Sequence, residues 1–96
     1  MRVLGFDPGT LKMGVGVVDS ESGDLSTPYY ACFTASKNDP IENRLMTLFT
    51  QIDQLISDVQ PDSIAVEDPF VSKNAKTAIA IGQAQATVLI AGSKHG

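Results

Sequence analysis

Short apolar runs alternate with one long stretch of helical periodicity along this chain. Residues 2–7 are apolar up to a single carboxylate, Asp7, and Pro8-Gly9-Thr10 then ends the strand with a turn. Gly14-Val15-Gly16-Val17-Val18-Asp19 reads as a second strand, and the polar residues 20–24 read as a turn, with Gly23-Asp24 as a hairpin connection to a third strand over roughly 25–34. The three predict a meander. Ile41, Leu45, Leu48, Phe49, Ile52, Leu55, Ile56 and Val59 then form one helical stripe. Asp39 as N-cap, Pro40 at the first helical position and Glu42 three residues after the cap mark its start, and Gln60-Pro61 marks its end. Residues 63–67 repeat the first pattern, a short apolar strand closing on Glu67. A final helix is expected from about residue 74 to 90. It is rich in small residues (Ala75, Ala78, Ala80, Gly82, Ala84, Ala86, Ala91), which either pack on the chain's own sheet or in part meet a second subunit.

This order has a chemical consequence. A meander runs its first and third strands the same way, and the long helix is a crossover that brings the fourth strand back parallel to the first. Asp7 and Glu67 are then expected at the same end of the sheet. If the two strands are neighbours, about 5 Å separates them, and a hard oxygen-binding cation such as Mg²⁺ would offset the repulsion of two carboxylates. Each residue alone has a plainer reading: Asp7 as a turn former before Pro-Gly, Glu67 as a strand-end charge paired with Lys73. The pair favours a site, because both charges terminate apolar strands. Asp68 should face the other way and be solvated or supportive. The loop after Glu67 leads to a helix start, where free N–H groups favour phosphate. Lys73 and Lys76 add positive charge there, and Phe70 is placed either to stack on an exposed base or to anchor the loop.

Composition narrows the class. The chain has 96 residues, 43% hydrophobic and 19% charged, which fits one ordinary globular domain spanning residues 1–96. No apolar run approaches the ~20 residues of a membrane span. The opening residues are too short for a secretory signal, so a cytoplasmic location is expected. Cys32 is the lone cysteine, cannot form an intramolecular disulfide, and is expected as a small core residue. The net charge of −4 counts against nucleic acid, but Lys12, Lys73 and Lys76 cluster near the candidate site while Asp19, Glu21, Asp24, Asp53, Asp58 and Asp62 fall elsewhere.

Two segments carry a family resemblance. Leu4-Gly5-Phe6-Asp7-Pro8-Gly9-Thr10, with residues 14–18 behind it, is similar to the first hairpin of RuvC-type Holliday-junction resolvases; the Asp-x-Gly-Thr turn also occurs in actin-like sugar kinases and RuvX nucleases. Residues 61–74, Pro-Asp-Ser-Ile-Ala-Val-Glu-Asp-Pro-Phe-Val-Ser-Lys-Asn, followed by Ala78 and Gly82-Gln83-Ala84, resemble the RuvC block around its second catalytic carboxylate. The resemblance covers nearly the whole chain and implies an α/β, ribonuclease H-like mixed sheet (β-meander, crossover helix, parallel fourth strand and final helix) in a truncated domain that lacks the family's last strand and helix. It implies Asp7 and Glu67 as catalytic, metal-binding carboxylates, with Mg²⁺ or Mn²⁺ as cofactor. Phe70 would enter the junction and Lys73 would contact DNA; Asn74, at the helix start, and Lys76 and Lys12, by their charge near the site, are expected as further DNA contacts. It further implies branched, four-way-junction DNA as substrate and a homodimer that nicks two strands symmetrically in recombination and repair.

Two departures temper this. Gly82-Gln83-Ala84-Gln85-Ala86 lacks an arginine that the family commonly carries. The family also continues with a further strand and a helix bearing two more acidic or histidine ligands, which residues 92–96 do not supply. His95 is expected to be solvent-exposed in a polar tail, the site to be incomplete, and the metal to be weakly held. Alternatives are a non-catalytic RuvC-like module that dimerises or binds branched DNA, a RuvX-like nuclease, and an actin-like nucleotide-binding fragment.

Overall fold

The computed structural model describes residues 1–21, 23–67 and 74–96. Strands β1 (Arg2–Asp7), β2 (Lys12–Glu21), β3 (Asp24–Thr34) and β4 (Ser63–Val66) and helices α1 (Ile41–Val59) and α2 (Ala75–His95) follow in the order β1β2β3α1β4α2. The sheet runs β3-β2-β1-β4. β1–β2 and β2–β3 are antiparallel, and β4 lies parallel to β1, as expected of a meander with a crossover helix. Glu21 pairs with Asp24 at the β2–β3 hairpin, where Gly23 adopts φ +84, a conformation that glycine adopts without a steric penalty. The paired strands run further than the pattern predicts, β2 from residue 12 to 21, because the hairpin ladder continues through polar residues once its centre is fixed.

Alternation along the strands sends Leu4, Phe6, Met13, Val15 and Val17 to one face. There they form a single core with Leu48, Ile52, Leu55 and Ile56 of α1 and Ala84, Val88 and Ala91 of α2. Both helices therefore cover the same face, and the opposite face stays open. Phe33 and Ala35 join the core, but Cys32, expected inside, is exposed. The reason is period-two alternation: Cys32 pairs with Gly14 on the uncovered face, while its neighbours Ala31 and Phe33 pair with the core residues Val15 and Met13.

Helix ends supply three corrections. Pro40, not Asp39, is the N-cap of α1, with φ −62 and ψ 157 and no side-chain cap bond. The Pro40 carbonyl instead accepts from Asn43 and Arg44 N–H, both at 3.0 Å. At the other end Gln60 closes the helix in the left-handed region, φ 50, donating to Ile56 O. α2 continues to His95, past the expected end near 90. Gly92 lies within it, where a methyl would sit 3.3 Å from Ile64 Cδ1, so this glycine lets α2 lie close on β4. The last turn is then tied to α1, where Asp53 accepts from Lys94 Nζ at 3.0 Å and meets His95 Nε2 at 2.6 Å. His95 is exposed, as expected, but it belongs to the last turn of α2 and contacts Asp53 instead of lying in a free tail.

Arg2 joins three elements at the far end of β1 from Asp7. Its guanidinium donates to both oxygens of Asp19 (2.7 and 2.9 Å) and to Val59 O, while its backbone N–H donates to Asp62 Oδ2. The start of β1, the end of β2 and the α1–β4 connection are fixed together, which sets the parallel register of β1 and β4.

Candidate metal and nucleic-acid site

That register decides where the two carboxylates stand. Leu4 pairs with Ile64 and Phe6 with Val66, and Glu67 N–H donates to Phe6 O at 3.0 Å, extending the ladder one residue past β4. Phe6 is buried and Val66 packs against the core. The next residue on each strand, Asp7 and Glu67, must therefore point to the open face, side by side on strands about 5 Å apart. Both are exposed. Among the described residues neither carboxylate has a hydrogen bond or ion pair, so their oxygens are available to a ligand. No group of three or more His, Cys, Asp or Glu side chains suited to holding a metal occurs among the described residues.

Asp7 faces Gly14 across the β1–β2 ladder. Gly5 and Gly16 pair in the same way on the same face, so the sheet beside the carboxylates is a floor of bare backbone. Tyr30, the partner of Gly16 on β3, lies over this floor. A methyl built on Gly16 would be 3.7 Å from its Cδ2. One built on Gly14 would be 4.0 Å from its hydroxyl, 4.0 Å from Asp7 Oδ2 and 3.4 Å from Asp7 Cβ. The Tyr30 hydroxyl and Asp7 Oδ2 thus both border the bare backbone of Gly14. The sequence reading missed Tyr30. Its signal was the placement of two glycines, Gly14 and Gly16, at alternate positions of β2, which leaves room for an aromatic from the adjacent strand.

On the helix side of the same strand ends, the turn after β1, the start of α1 and the first turns of α2 enclose a cleft of about 730 Å³. Lys12, Arg44 and Lys76 line it with Gly9 and Thr10. Lys12 and Lys76, expected to lie near the site, are brought together here. Arg44, which the sequence reading did not single out, donates to Thr10 Oγ1 at 3.3 Å, and its Nε is buried with no partner among the described residues. Asn74 caps α2, its side-chain oxygen accepting from Lys76 and Thr77 N–H at 3.0 and 3.3 Å. Phe70 and Lys73, with Asp68, lie outside the described residues.

The family model described as crossover junction endodeoxyribonuclease RuvC matches residues 3–96. The crossover junction endodeoxyribonuclease RuvC of Dehalococcoides mccartyi is 42% identical over 95 residues, covering 99% of this chain and 58% of that protein. A solved structure of T. thermophilus RuvC in complex with Holliday junction substrate superposes with a TM-score of 0.91 at 25% identity, over 98% of this chain and 58% of that one. An Aquifex aeolicus Ppx/GppA phosphatase aligns with a TM-score of 0.54 at 17% identity over 69% of this chain, a likeness of fold alone. The chain therefore spans a little under three fifths of the length of the RuvC proteins it matches.

Proposed function

This chain belongs to the RuvC family of crossover junction endodeoxyribonucleases, and from that premise we propose that it carries the first two carboxylates of a metal-dependent nuclease acting on four-way DNA junctions in recombination and repair. The observation that carries this reading is the placement of Asp7 and Glu67 on adjacent parallel strands, at equal depth, on the uncovered face.

The donor set fits a hard divalent cation such as Mg²⁺ or Mn²⁺. Both groups are carboxylates, both are exposed, and neither has a partner among the described residues. An ion of this kind takes one or two carboxylates together with waters and substrate phosphates. When bound, it supplies an activated water and charge neutralisation at the phosphate. Asp7 and Glu67 hold their oxygens where a phosphodiester can approach across the glycine floor. Lys12, Lys76 and Arg44, in the cleft on the helix side of the same strand ends, would supply a local positive field that the net charge of −4 does not. Phe70, Lys73 and Asn74 complete the proposed DNA contacts, Phe70 by entering the junction. Residues 1–96 would form a truncated RuvC-like domain, acting in the cytoplasm within a homodimer. The dimer has a surface available: Met46, Ile79, Leu89 and Ile90 are each more than half exposed on the helical side, and Leu45, Phe49 and Ala86 line an apolar groove between α1 and α2.

A second reading, a module that binds branched DNA without cutting it, is favoured by the absence of a third metal-binding side chain among the described residues. Nicking of a synthetic four-way junction, with and without Mg²⁺ or Mn²⁺, separates the two. The nuclease reading expects slow, metal-dependent nicking that Asp7→Asn and Glu67→Gln abolish. Tight binding with no nicking at any metal concentration favours the second reading, and nicking indifferent to both substitutions overturns the site.

A further inference from the structure

We propose that Tyr30 is a DNA-contacting residue of this site: its hydroxyl donates a hydrogen bond to the backbone phosphate next to the one held at Asp7 and Glu67. The inference rests on the junction-nuclease reading and adds to it a residue that its carboxylates and lysines do not include.

Three observations carry it. Tyr30 is 78% exposed, which is costly for an aromatic with no function, since its ring area stays in water. Its position is nevertheless defined. The ring crosses from Gly16, its register partner, to Gly14, and the two glycines leave the room it occupies. Finally, the hydroxyl ends over Gly14, where it and Asp7 Oδ2 each lie 4.0 Å from the place a methyl would occupy, and it has no hydrogen-bond partner among the described residues. A phenol O–H is a donor that a phosphate oxygen accepts. Tyrosine hydroxyls are among the groups that fix a protein's register on nucleic-acid backbone without reading sequence. The floor of Gly5, Gly14 and Gly16 lets a strand come close to the sheet, and Tyr30 forms the wall on the β3 side. Glu67, on the opposite side of Asp7, forms the other limit. A strand entering between them places one phosphate at the carboxylates and the adjacent one at the hydroxyl.

The test is a double-mutant cycle between protein and DNA. Binding of this chain and of Tyr30→Phe to a synthetic four-way junction is measured by fluorescence anisotropy in Mg²⁺, with single phosphates near the crossover replaced in turn by uncharged methylphosphonate. Tyr30→Phe keeps the ring and removes only the donor, so urea midpoints of the two proteins should agree. The expected result is a loss of affinity of about three- to tenfold, the net size of one ordinary solvent-exposed hydrogen bond. That loss should disappear on the one junction whose contacted phosphate is uncharged, which a merely structural role of Tyr30 would not produce. Equal affinity of Tyr30→Phe and the unaltered chain, or a loss that persists at every replaced phosphate, overturns the proposal while leaving the nuclease reading in place. No junction binding by the unaltered chain overturns both.

Discussion

Replacing Gly9 by alanine tests how tightly the turn beneath the site is built. A methyl on Gly9 would be driven into the carbonyl oxygen of Lys12, with Lys12 C at 3.4 Å and Lys12 N at 3.9 Å. Restoring van der Waals separation requires the two backbone segments to part by roughly 1 Å. The turn has little freedom to yield: Leu11 O accepts from Ala35 N–H at 3.0 Å and Thr10 Oγ1 from Arg44 at 3.3 Å, fastening its far side to β3 and α1. The cost should fall in the range for overpacked sites, about 1–3 kcal/mol, against a total stability of about 5–14 kcal/mol for a domain of this size. With a urea m-value of about 1 kcal/mol/M, the denaturation midpoint should drop by about 1–3 M. Gly82→Ala is the internal control. A methyl there meets nothing within 4 Å and the residue lies inside α2, so this change should raise stability by up to about 1 kcal/mol. Circular dichroism in urea measures both. A Gly9→Ala midpoint equal to or above that of the unaltered chain would refute the account of the turn, whatever Gly82→Ala does.

Other consequences can be checked independently. Ile52 is fully buried in the core, so Ile52→Ala should cost about 2–5 kcal/mol in the same titration. The carboxyls of Asp19 and Asp53 are held below the ordinary carboxylate range, by hydrogen bonds from Arg2 and from Lys94 and His95 respectively. Their contribution is therefore complete above the unfolded value near pH 4 and is lost as pH falls below it. Thermal melts should show an acid-side decline that is shallower in Asp53→Asn. EDTA should leave the melting temperature unchanged, because Asp7 and Glu67 stand exposed at strand ends and the core does not depend on them; a large drop would make the metal structural. Sedimentation equilibrium should show a dimer that Ile90→Glu dissociates, and a monomer at all concentrations would count against the helical face as an interface.

Much of this architecture was legible in the pattern of residues. The stripe from Ile41 to Val59 located α1, and the two runs ending in Asp7 and Glu67 located the parallel pair, because both signals come from burial and burial has a period. What escaped depended on neighbours distant in sequence. Asp39 looked like a cap, but capping is a matter of backbone dihedrals, and Pro40 takes that position with its carbonyl alone. The final helix was expected to end near residue 90, but it runs on through Gly92, a close-packing site against Ile64. Cys32 looked like core because cysteine usually is, yet strand pairing with Gly14 sends it to the open face. Tyr30 was overlooked for a similar reason: its relation to Asp7 passes through two glycines on another strand, and no local window contains all four residues.

The pairing of β1 with β4 also bears on how the chain is made. Asp7 leaves the ribosome early, whereas Glu67 follows 60 residues later, an interval of about 3–12 s at translation rates of about 5–20 residues per second. During that time the meander β1–β2–β3 can form from local contacts, but the β1 edge that β4 will occupy has no partner. Unpaired edges of this kind invite association with other chains. α1 is synthesised in the same interval and can cover the apolar face with Leu48, Ile52, Leu55 and Ile56, while the edge itself waits for four residues, Ser63–Val66. The two proposed metal ligands meet only at that step, so cation affinity in a nascent chain would report the closing of the sheet, and a chain released before Glu67 would have no such site.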